Sequence, residues 1–163
     1  MTEYALDIKA EIDYARRWAF SFSPDYYNFE YLGGDCTNFV SQCLFAGGAV
    51  MNYTKDVGWY YLSLNDRAAA WTGVEFFYRF MVNNLSAGPY GMAVSLCEVR
   101  TGDVIQLGRG GSFYHSLLVT GLKEGTPLVA AHTSAAFDRP LDTYHYEELR
   151  CIRILGARKV SSV

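Results

Sequence analysis

An α+β fold with N-terminal helices packed on a mainly antiparallel sheet is predicted by three features of the sequence. Apolar residues recur at helical spacing through the first half, strand-type alternation takes over from about residue 94, and Gly- and Pro-bearing turns separate the later runs. The elements follow in order. Residues 3–20 predict an amphipathic helix: Tyr4, Ile8, Ile12, Ala15 and Trp18 recur at three- and four-residue steps, and Glu3, Asp7, Lys9, Glu11 and Asp13 fill the other positions. Ser23-Pro24 ends it. A Tyr-rich loop over 24–35 closes with Gly33-Gly34-Asp35. A second helix follows at about 36–46, with Asp35 as N-cap candidate and Gly47-Gly48 as the stop. Residues 49–70 read as irregular, with a short strand at 59–62. A third helix spans 72–84, where Thr72-Gly73-Val74-Glu75 reads as a capping box and Val74, Phe77, Phe80 and Met81 form an apolar stripe. Strands are predicted near 103–107, 114–120, 128–133 and 150–156, separated by turns at 108–111, at 121–127 and around Arg139-Pro140.

The length of 163 residues predicts one domain over 1–163, large enough for a core without staples. With 50% apolar and 19% charged residues, near globular averages, disorder is not expected. The 13 Tyr and 10 Phe predict either an aromatic core or a groove for peptides or polymers. A net charge of −3 without a Lys/Arg run speaks against nucleic acid and membrane-surface binding. No apolar run is long enough for a membrane span. The stretch from Met1 to Arg17 lacks the basic-then-apolar pattern of a secretory signal, so the expectation is a cytoplasmic protein or a domain cut from a larger exported chain. The four cysteines form no CxxC pair, so zinc is not expected, nor any other metal or cofactor. A domain of this size needs no disulfide, and Cys43, Cys97 and Cys151 are read as buried small hydrophobes.

The remaining cysteine carries chemistry. Cys36 stands at a helix N-terminus behind two glycines, where unpaired N–H groups and the helix dipole favour a thiolate. A thiol nucleophile needs a base held by a third group. His115 opens one predicted strand and His132 ends the next; a hairpin turning around Glu124 sets residue 115 opposite 132 or 133, within reach for His132 to accept the His115 ring N–H. Asp103 reads as a turn residue at a strand entry, and His145, in a polar stretch, receives no role.

The run Gly34-Asp35-Cys36-Thr37-Asn38-Phe39-Val40-Ser41-Gln42-Cys43, followed by Gly47-Gly48, closely resembles the signature of the bacterial "putative amidase domain" family, itself distantly similar to NlpC-type and CHAP-type cell-wall cysteine peptidases. Tyr27-Asn28-Phe29, Ala70-Trp71, Gly102-Asp103-Val104-Ile105-Gln106, Tyr114-His115-Ser116 and Ala131-His132-Thr133 resemble further landmarks in the family's order, over roughly residues 3–158. The resemblance implies a papain-like cysteine hydrolase core, with Cys36 as nucleophile, His115 as base and a polar third residue where His132 stands. Asp35, Asn28 and Tyr114, beside these residues, are assigned to substrate binding. Family members often carry an Asp soon after the His-Thr pair; here Asp138 follows only after Ser134-Ala135-Ala136-Phe137. The activity implied is hydrolysis of an amide in a peptide-like substrate, with peptidoglycan stem peptide as the substrate class. The rival readings are acyl transfer through the same thioester, a catalytically silent cell-wall or peptide binding module using a Tyr-lined groove, and an intracellular structural protein.

Overall fold

A computed structural model describes residues 1–161. The architecture is α+β, and every strand pairing in it is antiparallel. Strand β1 (Thr2–Tyr4) precedes helices α1 (Ile8–Trp18) and α2 (Cys36–Ala46). A small ladder, β2 (Tyr61–Ser63) and β3 (Asp66–Arg67), leads to α3 (Ala69–Thr72) and α4 (Val74–Asn83). The remaining strands are β4 (Gly88–Val94), β5 (Val104–Arg109), β6 (Ser112–Lys123), β7 (Thr126–Ala131), β8 (Ala136–Pro140) and β9 (Glu148–Lys159). The large sheet runs β1-β9-β5-β6-β7-β8, and β4 also pairs with β9. At Gly156, beside β1, φ is +147° and a Cβ would lie 2.3 Å from the Tyr4 carbonyl oxygen, so only glycine fits.

The helices cover one face of the sheet. Phe39, Val40, Leu44, Trp59, Trp71, Phe77 and Met81 pack there against Val104, Leu118, Ala130 and Ile152. Ile105, Leu107, Leu117, Val119, Val129 and Cys151 point to the opposite face, where Val99, Leu141 and Tyr144 cover them. The central strands are therefore buried on both sides, which explains near-continuous apolar runs in place of clean alternation.

Several boundaries differ from the sequence expectation, each for a local reason. Helix α1 begins only at Ile8, because the Asp7 carboxylate accepts the Ala10 N–H (3.0 Å) as its cap and the residues before it join the sheet. The capping box at Thr72 does not form: the Thr72 hydroxyl accepts from Arg67 Nε (3.1 Å), Gly73 is the N-cap of α4, and residues 69–72 make a separate turn of helix. Strands β4 and β8 are absent from the sequence expectation because each carries a proline, Pro89 or Pro140, which reads as a stop or turn; each pairs with one neighbour in the large sheet, where proline's missing N–H is tolerated.

One buried residue sets a pH dependence. Glu11 is 0% exposed and neither carboxyl oxygen has a partner. Burial, then the charges of Asp103 and Asp7, push its pKa from 4.5 up to about 9. Between those values the folded state binds the extra proton, so stability is full below the lower value and declines as pH rises toward the upper. At pH 7 the decline is on the order of 3 kcal/mol. Glu11→Gln should remove it: its melting temperature should exceed the parent's at pH 8 and approach it at pH 5. Parallel pH curves for the two proteins would contradict this.

Candidate active site

Cys36 is the first residue of α2, reached through Gly33 and Gly34, whose φ values of +88° and +98° make the sharp entry. Its side chain is 6% exposed. Burial pushes the thiol pKa up and the Asp35 charge adds to this, while the Ser116 backbone N–H and Thr37 act in the opposite direction. The Thr37 hydroxyl lies 3.8 Å from Sγ and 2.9 Å from the Ser116 hydroxyl. These contacts pin the His115–Ser116 step of β6 against the start of α2.

Alternation along β6 then separates the two side chains. Ser116 and Leu118 face α2, whereas His115 points with Leu117 toward Tyr144, whose ring centre is 6.3 Å away. Burial, then the Arg139 charge, lower the His115 pKa to about 4, so the imidazole is neutral at pH 7. Among the described residues the His115 ring makes no hydrogen bond, to Cys36 or to any other group. An open depression of about 740 Å³, lined in part by Arg109, Tyr144 and Tyr146, lies beside the same tyrosine.

His132 and Asp35 form a different arrangement from the one expected. Continuing the register Leu118↔Ala130 sets residue 132 opposite 116, and 115 opposite 133, so the two imidazoles occupy opposite faces. Both ring nitrogens of His132 are engaged: Nδ1 is 2.5 Å from Asp35 Oδ2 and Nε2 is 2.6 Å from the Trp18 carbonyl oxygen. The ring stacks on Phe39 at 4.2 Å. The expected His132–His115 hydrogen bond is therefore not made. Asp35 is 1% exposed and its side chain does not cap α2. Its Oδ1 accepts from the Phe29 N–H (2.8 Å) and from Asn38 Nδ2 (2.9 Å), so the carboxylate is occupied within the protein. The Asp35 N–H donates to the Thr133 hydroxyl.

The other expected site residues lie at the periphery. Asn28 is half-buried and accepts the Glu30 N–H (2.9 Å). Tyr114 is 47% exposed, its hydroxyl 3.4 Å from the His145 carbonyl oxygen. Cys43 and Cys151 are buried, but Cys97 is exposed, beside the Ser95 hydroxyl. Asp103 does stand at a turn into a strand, yet it is buried, accepting the Arg100 and Ile154 N–H groups and pairing with Arg153. Thr37, Ser116 and Gln106, to which no sequence motif assigns a role in the site, are all 0% exposed. The available signal was a glutamine inside an otherwise apolar strand, since a buried amide requires partners.

Residues 5–155 match the family model described as "putative amidase domain". Over 151 residues the chain is 32% identical to the Bacillus subtilis (strain 168) protein named "Uncharacterized protein YhbB", an alignment covering 89% of this chain and 46% of that protein. The chain thus spans about half the length of this relative. No solved structure matches it.

Proposed function

Because the chain belongs to the putative amidase domain family, we propose that it is a thiol-dependent amide hydrolase with a papain-like core, Cys36 as nucleophile and His115 as base. The observation that carries this reading is the placement of Cys36 at the start of α2, directly against the β6 step that bears a neutral, unbonded histidine. The raised thiol pKa and lowered imidazole pKa mean the pair rests as thiol and imidazole, not as an ion pair. In this reading the His115 imidazole, one residue before the Ser116 N–H that faces the sulfur, turns from Tyr144 toward Cys36 when substrate binds. His115 then takes the thiol proton as sulfur attacks the carbonyl carbon, and the Cys36 N–H at the helix terminus holds the oxyanion. The same proton passes to the leaving amine as the C–N bond breaks. Water, deprotonated by His115, cleaves the thioester, releases the acid and restores the thiol.

The proposed substrate is peptide-like, with peptidoglycan stem peptide as its class. Tyr27, Tyr31 and Leu32, on the loop that leads into Cys36, are 43%, 95% and 55% exposed, and they offer aromatic and aliphatic contact area beside the entry. Mass spectrometry of soluble stem-peptide fragments, incubated with the parent protein and with Cys36→Ala, tests the reading. New amine and acid ends with the parent alone are expected. Fragments left intact by both proteins overturn the substrate class, and cleavage by both overturns the nucleophile. An added amine acceptor distinguishes acyl transfer, which would yield a new amide.

The pH profile follows from His115. With its pKa lowered to about 4, the base stays competent through mild acid, so kcat/KM should hold its plateau at pH 6 and fall to half near pH 4. Arg139→Gln removes the nearby positive charge and should move that midpoint upward. A fall centred at the ordinary histidine value in the parent contradicts the assignment.

A further inference from the structure

We propose that Gln106 and Arg150 are positioning residues that act on Cys36 through a one-way chain of hydrogen bonds. The inference rests on Cys36 as the reactive thiol proposed above. Arg150 Nε donates to Gln106 Oε1 at 2.8 Å. A guanidinium only donates, so this contact fixes which end of the amide is oxygen. Gln106 Nε2 is thereby aimed at the Ser116 hydroxyl (3.1 Å) and the Val74 carbonyl (3.0 Å). Having accepted from Gln106, Ser116 directs its own proton to Thr37 Oγ1 at 2.9 Å, and the Thr37 proton is left facing Cys36 Sγ at 3.8 Å, the outer range for a bond to sulfur. The opposite sense would give Ser116 two donors and leave its own proton without an acceptor among these contacts.

The far end of the chain is anchored. The Arg150 guanidinium lies between the rings of Tyr78 (3.7 Å) and Phe113 (4.0 Å), and its Nη2 donates to Glu75 Oε2 at 2.9 Å. Thr37, Ser116 and Gln106 are fully buried, so water does not compete for their protons. A cation at one end and donors aligned toward the other place positive dipole ends on the sulfur. Their attraction is strongest when the sulfur is ionised, which offsets part of the cost of charging a buried thiol. This gives the glutamine of Gly102-Asp103-Val104-Ile105-Gln106 a task in the site.

The test is the pH dependence of Cys36 alkylation by iodoacetamide, followed by peptide mapping in a Cys97→Ser background that removes the exposed thiol. Thr37→Val keeps the shape and loses the hydroxyl; it should slow alkylation at neutral pH roughly fivefold and move the midpoint to higher pH. Thr37→Ser should restore both. Gln106→Leu and Arg150→Lys should shift the midpoint in the same direction by less. Lower melting temperatures with an unmoved midpoint would mean these residues only pack, and would overturn the proposal; so would a Cys36 that resists the reagent at every pH. Alkylation needs no substrate, so the two readings fail separately. A shifted midpoint in a protein that cleaves no amide sinks the hydrolase reading alone, and amide cleavage with an unmoved midpoint sinks the relay alone.

Discussion

Cys36→Ala should lower amide cleavage by roughly 10⁴-fold or more while changing the melting temperature little. Sulfur is the only proposed group that forms a bond to substrate, so its loss leaves binding and oxyanion contacts without a nucleophile. The side chain is small and sits at a helix start, and its removal takes away one atom that makes no strong hydrogen bond. His115→Ala should cost a similar factor, because the neutral imidazole is the proposed acceptor of the Cys36 proton. The double variant should be no slower than either single one, since the two act as a unit. His115→Ala retaining the parent rate would mean that the proton leaves by another route. Additive losses in the double variant would mean that the two residues act independently.

How far the site was legible depends on whether its logic is local. Helix α2 matches its expected span of 36–46 because both ends carry chain-level signals: glycines that enter with positive φ and Gly48, with φ of +97°, past its end. The hairpin around Glu124 is likewise local, with Glu124 and Gly125 at φ of +51° and +81° closing β6 onto β7. From these the neighbourhood of Cys36 and the β6–β7 ends follows. Which face each side chain takes does not. A register of 118 with 130 sends His132 toward Phe39 and His115 toward Tyr144, and nothing in either strand's composition distinguishes this from a slip by one. The Asp35–His132 contact joins positions 97 apart, and the link from Arg150 to Gln106 joins positions 44 apart. Buried polar residues announce that partners exist, but only the fold names them.

Asp35 provides the largest expected effect on stability. Its carboxylate gathers the Phe29 N–H, Asn38 Nδ2 and His132 Nδ1 in a site that excludes solvent. The Trp18 carbonyl facing Nε2 requires a proton on that nitrogen, and the 2.5 Å contact holds another between Nδ1 and Oδ2. Asp35→Ala removes three acceptor contacts at once and leaves their donors buried, so unfolding free energy should fall by about 3–5 kcal/mol. His132→Ala should lose about 2–4 kcal/mol, since it strands the Asp35 carboxyl and the Trp18 carbonyl and opens a cavity against Phe39. Asp35→Asn should be far milder, about 1 kcal/mol, because the amide oxygen still accepts from Phe29 and Asn38. Its NH₂ can then donate to an unprotonated Nδ1 while Nε2–H keeps the Trp18 carbonyl. Urea unfolding midpoints of the three variants check the order. Equal losses for Asp35→Ala and Asp35→Asn would show that hydrogen bonding by shape does not govern the cluster and that the carboxylate charge does. Because the Asp35 charge helps raise the Cys36 thiol pKa, Asp35→Asn, which removes that charge but keeps the acceptor for the Phe29 N–H of the entering loop, should alkylate Cys36 at neutral pH at least as fast as the parent.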